Sequence, residues 1–343
     1  MRNILNPISG NNYSTTQSIN KDEINQYFKN ITNERVAQWF EAFLKSTNQK
    51  MITGMVIQNL LLDFQGAQIL KTPLSILDAG CGEGELAMQI LQTWSTQLSS
   101  VSYYGIDNEE RFINTIQEAL IKLKVYHRLQ QGSCFNSDID NLPNDMNIIL
   151  ASNVAYYAPN VMEFIHSLLS KKSHDGILLS IHESSTSIPN ILRGKYGAEV
   201  DTKTAFKIKD CLDSTQFRYC DFMIPSIITL PKDYHKMALD LLKSTSSTIN
   251  NHSIPVLNTE YQHFKMLLEF IVQTSLESLK YKGQLNDYID DVLIVAEKNK
   301  GSIPVESSVV LVVPESVRNK ICDILDRKGF SKAYEISHPN LGL

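Results

Sequence analysis

The sequence has almost no concentrated positive charge. Lys171-Lys172 is its one notable basic pair, and the 343 residues carry a net charge of −5. A polyanion-binding surface needs clustered Lys and Arg, so nucleic acid is not an expected partner. The five cysteines, at positions 81, 134, 211, 220 and 322, are scattered and free of Cys-x-x-Cys spacing. They read as reduced thiols, which excludes a disulfide scaffold and makes a cytoplasmic setting the expectation. No apolar signal segment stands at the N-terminus, and no run approaches the roughly 18 apolar residues of a membrane span. No membrane partner is therefore expected. The 8 histidines show no ligand spacing, so no metal is expected either. His182-Glu183 reads most simply as a strand-end pair, although it could accept a proton.

What is present is ordinary for a soluble globular chain, at 43% hydrophobic and 20% charged residues. The informative stretch lies at 74–91. An apolar run ends in Asp78, and Gly80, Gly82 and Gly84 follow at spacing two. Leu86, Ile90 and Trp94 then step by four beside Ala87 and Leu91, which is helical periodicity. The unit is strand, tight glycine turn, helix, the opening of a doubly wound α/β domain. Glu85 occupies the position where a dinucleotide fingerprint wants its third glycine, which argues against a nucleotide-dependent oxidoreductase. A second strand over 101–106 ends in Asp107-Asn108, where a carboxylate can accept two ribose hydroxyls.

The spacing Asp78-x-Gly80-x-Gly82-x-Gly84 resembles the S-adenosylmethionine (SAM) loop of class I methyltransferases. That resemblance implies a Rossmann-like, doubly wound, seven-stranded sheet with SAM as cofactor. In chain order, helices are expected at 34–45 and 49–64, with Ser46-Thr47-Asn48 as a cap between them. Further along come a helix at 109–123, strands at 125–131, 146–151 and 176–182, and a helix at 160–170. The fourth strand leads into Ser152-Asn153-Val154-Ala155-Tyr156-Tyr157, a loop at the carboxyl ends of the strands, where ligands of open α/β sheets sit. Helices near 204–213, 232–244 and 259–281, and a strand at 219–224 returning to the sheet, outline a smaller, mainly helical substrate-side lobe.

A more particular likeness follows. Tyr156-Tyr157, then Glu163-Phe164-Ile165-His166-Ser167-Leu168-Leu169, Ser184-Ser185 and Gly194-Lys195-Tyr196-Gly197 resemble histamine N-methyltransferase. So do Phe43-Leu44-Lys45-Ser46-Thr47, Gly80-Cys81-Gly82-Glu83-Gly84-Glu85 and, more faintly, Leu267-Leu268-Glu269-Phe270. The likeness spans roughly 30–313. It implies that Gly80, Gly82 and Gly84 line SAM, that Asp107 and Asn108 hold the ribose, and that Cys134 and Ser152 lie near the adenine. It makes Asn153, Tyr156 and Tyr157 the residues of the reacting site, the tyrosines forming an aromatic wall rather than packing under the loop.

The departures bear on the acceptor. Asn48 stands where the family has an acidic residue, and Glu306 where it has an asparagine, so carboxylate and amide look exchanged across the pocket. Pro189 and Arg193 replace two tryptophans, which takes two walls from a box for a flat cation and adds a positive charge. Arg193 either folds in toward Glu306 or lies in solvent. Asn48, Arg193 and Glu306 are therefore the candidate substrate contacts.

The expected organisation is an irregular segment at 1–30, a SAM-binding core with its helical hairpin at 31–200, a substrate-side lobe and closing strands at 201–313, and an extension at 314–343 in which 330–336 reads as an edge strand. The expected activity is methyl transfer to a small molecule, on a nitrogen of an amine or imidazole-like compound, by a monomer. The alternatives are a protein-modifying methyltransferase and a SAM-binding regulator without turnover.

Overall fold

The computed structural model describes residues 33–330 apart from 93, 95–97, 136, 198–203, 216 and 247–258. The irregular segment expected at 1–30 and the edge strand expected at 330–336 lie outside the described residues, Phe330 excepted. Apolar runs and helical stripes alternate from residue 74 onward, and the chain folds accordingly. An opening hairpin, α1 (Asn33–Ser46) and α2 (Gln49–Gly66), is followed by β1 (Leu74–Ala79), α3 (Glu85–Gln92), β2 (Val101–Asp107), α4 (Glu110–Leu123) and β3 (Tyr126–Gln131). The second half begins with β4 (Met146–Ser152), α5 (Val161–Lys171), β5 (Lys172–Glu183), α6 (Ile188–Tyr196) and α7 (Thr204–Ser214). Then come β6 (Tyr219–Thr229), α8 (Tyr234–Ser246), α9 (Thr259–Val272), α10 (Leu276–Tyr281), α11 (Leu285–Lys298), β7 (Ser302–Val312) and α12 (Arg318–Arg327).

The seven strands form one sheet in the order β3-β2-β1-β4-β5-β7-β6. β1 to β5 run parallel, and β7 enters antiparallel between β5 and β6. The chain winds outward from β1 to β3 and then returns to lay β4 on the other side of β1. That reversal opens a crevice at the carboxyl ends of β1 and β4, the place where such doubly wound, Rossmann-like sheets take ligands. Apolar side chains cover both faces. Ile57, Phe64, Ile90, Ile116 and Ile321 pack on one, and Phe164, Ile165, Leu168, Ile208 and Leu212 on the other.

A third apolar core gathers α1, α6 and α8 to α11 around Ile228, Ile303 and Val305. Register explains where it stands. Glu183, the last residue of β5, lies opposite Ser307, while the β6–β7 ladder continues as far as Thr229 opposite Ser302. The last two strands thus overrun the carboxyl edge and hold this helical core beside the crevice.

Three elements differ from expectation. The helix expected at 259–281 is two, because the Ser275 hydroxyl accepts the Ser278 N–H and starts α10 afresh. α11 was not anticipated, although Tyr288, Ile289, Val292 and Ala296 give it a buried stripe. α6 was likewise not anticipated, and has Pro189 in its first turn.

Candidate active site

The glycine turn is built by backbone conformation. Gly80, Gly82 and Gly84 have φ of 72°, 53° and 80°. A Cβ on Gly80 would stand 2.5 Å from Val154 Cγ2, so the turn and the loop after β4 touch there. A Cβ on Gly82 would meet nothing within 4 Å, so its left-handed backbone faces open space and not a packing partner. Its N–H instead donates to Asp107 Oδ2 at 2.9 Å. The other oxygen, Oδ1, accepts the Glu109 N–H at 3.0 Å. Two backbone donors fix the carboxylate at the end of β2, and each oxygen keeps acceptor capacity for a hydroxyl. Glycines that let a ligand approach the backbone, beside a carboxylate oriented for a diol, fit the adenosine part of SAM. Asn108 follows in the same loop, its carbonyl 3.4 Å from Gln131 Nε2.

Cys134, just past β3, is buried, and burial pushes its thiol up to about 12. It is a neutral packing group. Ser152 ends β4 half-exposed. Asn153 adopts φ of 53°, rare for a residue with a side chain, and donates its N–H to Ile181 O at 2.7 Å. The strained residue turns the chain sharply off β4 into a short 3₁₀ turn, Ala155–Tyr157. That turn holds both tyrosines outward, Tyr156 41% and Tyr157 68% exposed, with ring centroids 4.3 Å apart. They are not packed beneath the loop.

Arg193 is neither in solvent nor paired with Glu306. It is 4% exposed, and its Nη1 donates to Glu183 Oε2 at 2.6 Å and to Asn190 Oδ1 at 2.8 Å. Nε donates to Ile271 O at 2.9 Å. Ser187 Oγ completes the cluster, donating to Glu183 Oε1 at 2.8 Å. The Tyr156 hydroxyl is raised well above its ordinary pKa by burial first, with Tyr157 and then Glu183 adding to it and Arg193 opposing. The tyrosine pair and the Glu183–Arg193 pair therefore share one neighbourhood at the ends of β4 and β5. Sequence reading took Glu183 only with His182, as a strand-end pair able to accept a proton, and did not join it to Arg193. The signal was strand alternation, which puts 183 on the opposite face from 182.

His182 itself is sealed in, with Ser180 Oγ 2.6 Å from its Nε2, so it leaves the site. Glu306 is half-buried and accepts the Thr186 hydroxyl at 3.1 Å. Asn48 turns away to the sheet edge, where its Oδ1 accepts the Ile227 N–H at 2.9 Å. The supposed exchange of amide and carboxylate across one pocket thus dissolves, because Asn48 serves the backbone of β6. The hairpin still reaches the site region through Gln49, whose Nε2 donates to Ser307 Oγ at 3.0 Å, and through the exposed ion pair of Lys50 with Glu85.

Two buried titratable groups under the site pull stability in opposite directions. Asp78 is lifted from 3.8 to about 7 by burial, with the hydrogen bond from Tyr103 opposing and nearby Asp107 adding. His182 is lowered from 6.5 to about 3 by burial. Asp78 favours the fold below its unfolded pKa of 3.8, and that contribution is lost as pH rises to about 7. The His182 contribution is present above 6.5 and lost as pH falls toward 3. In the wild type the two slopes largely cancel. Asp78→Asn is expected to leave stability rising with pH between those limits, and His182→Gln to leave it falling. Urea melts across that interval check both signs, and parallel curves for the two variants would contradict them.

Among the described residues, no group of three or more His, Cys, Asp or Glu is placed to hold a metal ion. No described helix is long and apolar enough to cross a membrane.

Residues 70–215 match the family model described as a methyltransferase domain. No curated protein matches the chain at a significant level. Among solved structures, YcgJ from Bacillus subtilis is 15% identical with a TM-score of 0.42, covering 74% of this chain and 97% of its own. The plantazolicin methyltransferase BamL, solved with a triazolic desmethylPZN analogue and SAH, is 12% identical at a TM-score of 0.43, covering 85% and 95%. A SAM-dependent methyltransferase from Aquifex aeolicus is 15% identical at 0.34, covering 46% and 80%. At likenesses this low the fold rests on the strand order itself. The matched residues 70–215 are similar to a methyltransferase domain, and the glycine turn and Asp107 within them are arranged as the adenosine part of SAM requires.

Proposed function

We propose that this chain is a SAM-dependent methyltransferase that acts on a small molecule and methylates a nitrogen of amine or imidazole kind. One observation carries the reading: Tyr156 and Tyr157 stand exposed at the carboxyl end of β4, beside the glycine turn, with Glu183 next to them. Two rings inclined at 54° offer an apolar corner, and a flat nitrogen heterocycle or aryl amine stacks on one face of it. When bound, SAM supplies a methyl group already activated by its sulfonium, so the protein has no covalent nucleophile to provide.

The chain's own residues then have three tasks. Gly80, Gly82, Gly84, Asp107 and Asn108 hold the donor, with Cys134 and Ser152 beside its base. Asn153, Tyr156 and Tyr157 orient the acceptor. The helical core beside the crevice limits water. Glu306 is retained as an anionic contact for a cationic acceptor. The strong exposure of Tyr157 supports one second reading, a protein side chain as acceptor.

Transfer of labelled methyl from SAM to a panel of amines, imidazoles and peptides tests both readings. Tyr157→Ala is expected to lower kcat/KM for the accepted class by about 2- to 13-fold, the worth of about 0.5–1.5 kcal/mol for one stacked ring. Its SAM affinity should stay as in the wild type. Labelling of peptides alone would replace the small-molecule reading. A Tyr157→Ala enzyme with wild-type kinetics would remove the tyrosine wall from it.

A further inference from the structure

We infer that Arg193 recognises an anionic oxygen of the acceptor, so that the preferred methyl acceptor carries a carboxylate as well as its nucleophilic nitrogen. This rests on the small-molecule reading above. The guanidinium has five N–H donors in a fixed fork. Nε and Nη1 are committed to Ile271 O, Glu183 and Asn190, whereas Nη2 is buried without a hydrogen-bond partner among the described residues. Arg193 as a whole is 4% exposed, so the unmatched donors lie inside the protein. An unmatched buried donor costs more when it is charged, which makes this arm of the arginine a receptor for an acceptor oxygen.

The surroundings hold it rigid. The Phe270 ring centroid lies 5.6 Å from Cζ, and Phe270 is itself stacked on Phe43 at 4.2 Å. Glu183 neutralises one unit of charge, yet its two oxygens already take Arg193 and Ser187. The pair is neutral as a whole, and its unmet hydrogen-bonding capacity inside the protein is the Nη2 donor of Arg193. A carboxylate is the complement of that capacity, since guanidinium–carboxylate pairs are short, planar and charge-assisted. Tyr156 links the pair to the aromatic wall, because both Glu183 and Arg193 act on its hydroxyl. One acceptor could lie on the tyrosines and reach Arg193 with its acid group.

Matched acceptors that differ by a carboxylate test the inference: histidine against histamine, and tyrosine against tyramine. Binding is measured calorimetrically in the presence of S-adenosylhomocysteine, and turnover with SAM. The wild type is expected to favour the carboxylate-bearing member by roughly tenfold or more, the worth of one charge-assisted hydrogen bond. The double variant Glu183→Gln/Arg193→Met removes both charges together and so leaves no uncompensated buried ion. With S-adenosylhomocysteine binding intact, it should lose the preference. A wild type indifferent to the carboxylate, or a preference that survives in the double variant, overturns the inference and leaves the acceptor reading standing. Failure to bind or methylate either member of any pair, with the donor site working, counts against the acceptor reading and takes this inference with it.

Discussion

Replacing Glu269 with alanine is expected to destabilise the protein by about 3 kcal/mol or more, the range found when one partner of a buried ion pair is removed. Glu269 is fully buried in α9, where a carboxylate survives only if its oxygens are met. Here they are. Arg35 Nη2 donates at 2.6 Å, Trp39 Nε1 at 2.7 Å and the Leu276 N–H at 3.1 Å. One side chain therefore ties α1 to α9 and caps the start of α10. The alanine variant strands the Trp39 N–H and the Leu276 N–H in apolar surroundings, and deprives Arg35 of its deepest contact. The exposure of Arg35, 33% at its side chain, keeps the figure near the lower end. Urea unfolding with a shared m-value measures the loss. A change below about 1 kcal/mol, the size of an ordinary surface substitution, would show that the network is not what fastens α1.

Asp107→Ala should weaken SAM binding by about 1.5–3 kcal/mol, on the order of 10- to 150-fold, the worth of a charge-assisted acceptor. The loss has two sources. The ribose hydroxyls lose their carboxylate, and Gly82, whose N–H it also holds, loses the bond that pins its left-handed turn. Asp107→Asn separates the two. An amide oxygen still accepts one N–H, so the turn persists while the charge is gone, and its affinity should fall between wild type and Ala. Calorimetry with SAM reads all three. An alanine variant that binds SAM like the wild type, with an unchanged melting temperature, would take the ribose away from Asp107.

The succession of β1 to β5 along the chain and the turn at Gly80 to Gly84 were legible because they are local. Glycine at a left-handed position, an apolar run before it and a helical stripe after it lie within a single stretch of chain. α11 was equally visible in Tyr288, Ile289, Val292 and Ala296, although the reading stopped its last helix of the lobe at 281. The acceptor side was not legible in the same way. Arg193 sits ten residues from Glu183 and 78 from the Ile271 carbonyl that takes its Nε. Only the packing of α6 against α9 and the end of β5 brings these groups together, and no periodicity encodes that. Glu269 gave half a signal, an acid on the apolar face of α9. Its partner Arg35 lies 234 residues away.

The bond between Asn48 and Ile227 has a consequence for the protein in a crowd. A sheet presents free hydrogen-bonding groups only at its two outer strands, and those are where another chain's strand can add itself. On β6 the hairpin occupies that position: Thr47 bridges Ile228, the Asn48 N–H donates to Ile227 O, and Asn48 Oδ1 takes the Ile227 N–H. Pro225, midway along the same strand, has no N–H to offer. The opposite border, β3, is made of Tyr126, His127, Arg128, Leu129, Gln130 and Gln131, a row with one apolar aliphatic residue. Shortening the hairpin at Thr47 and Asn48 would uncover β6, whose alternate residues are apolar, and would turn a sheet with guarded borders into a template for aggregation.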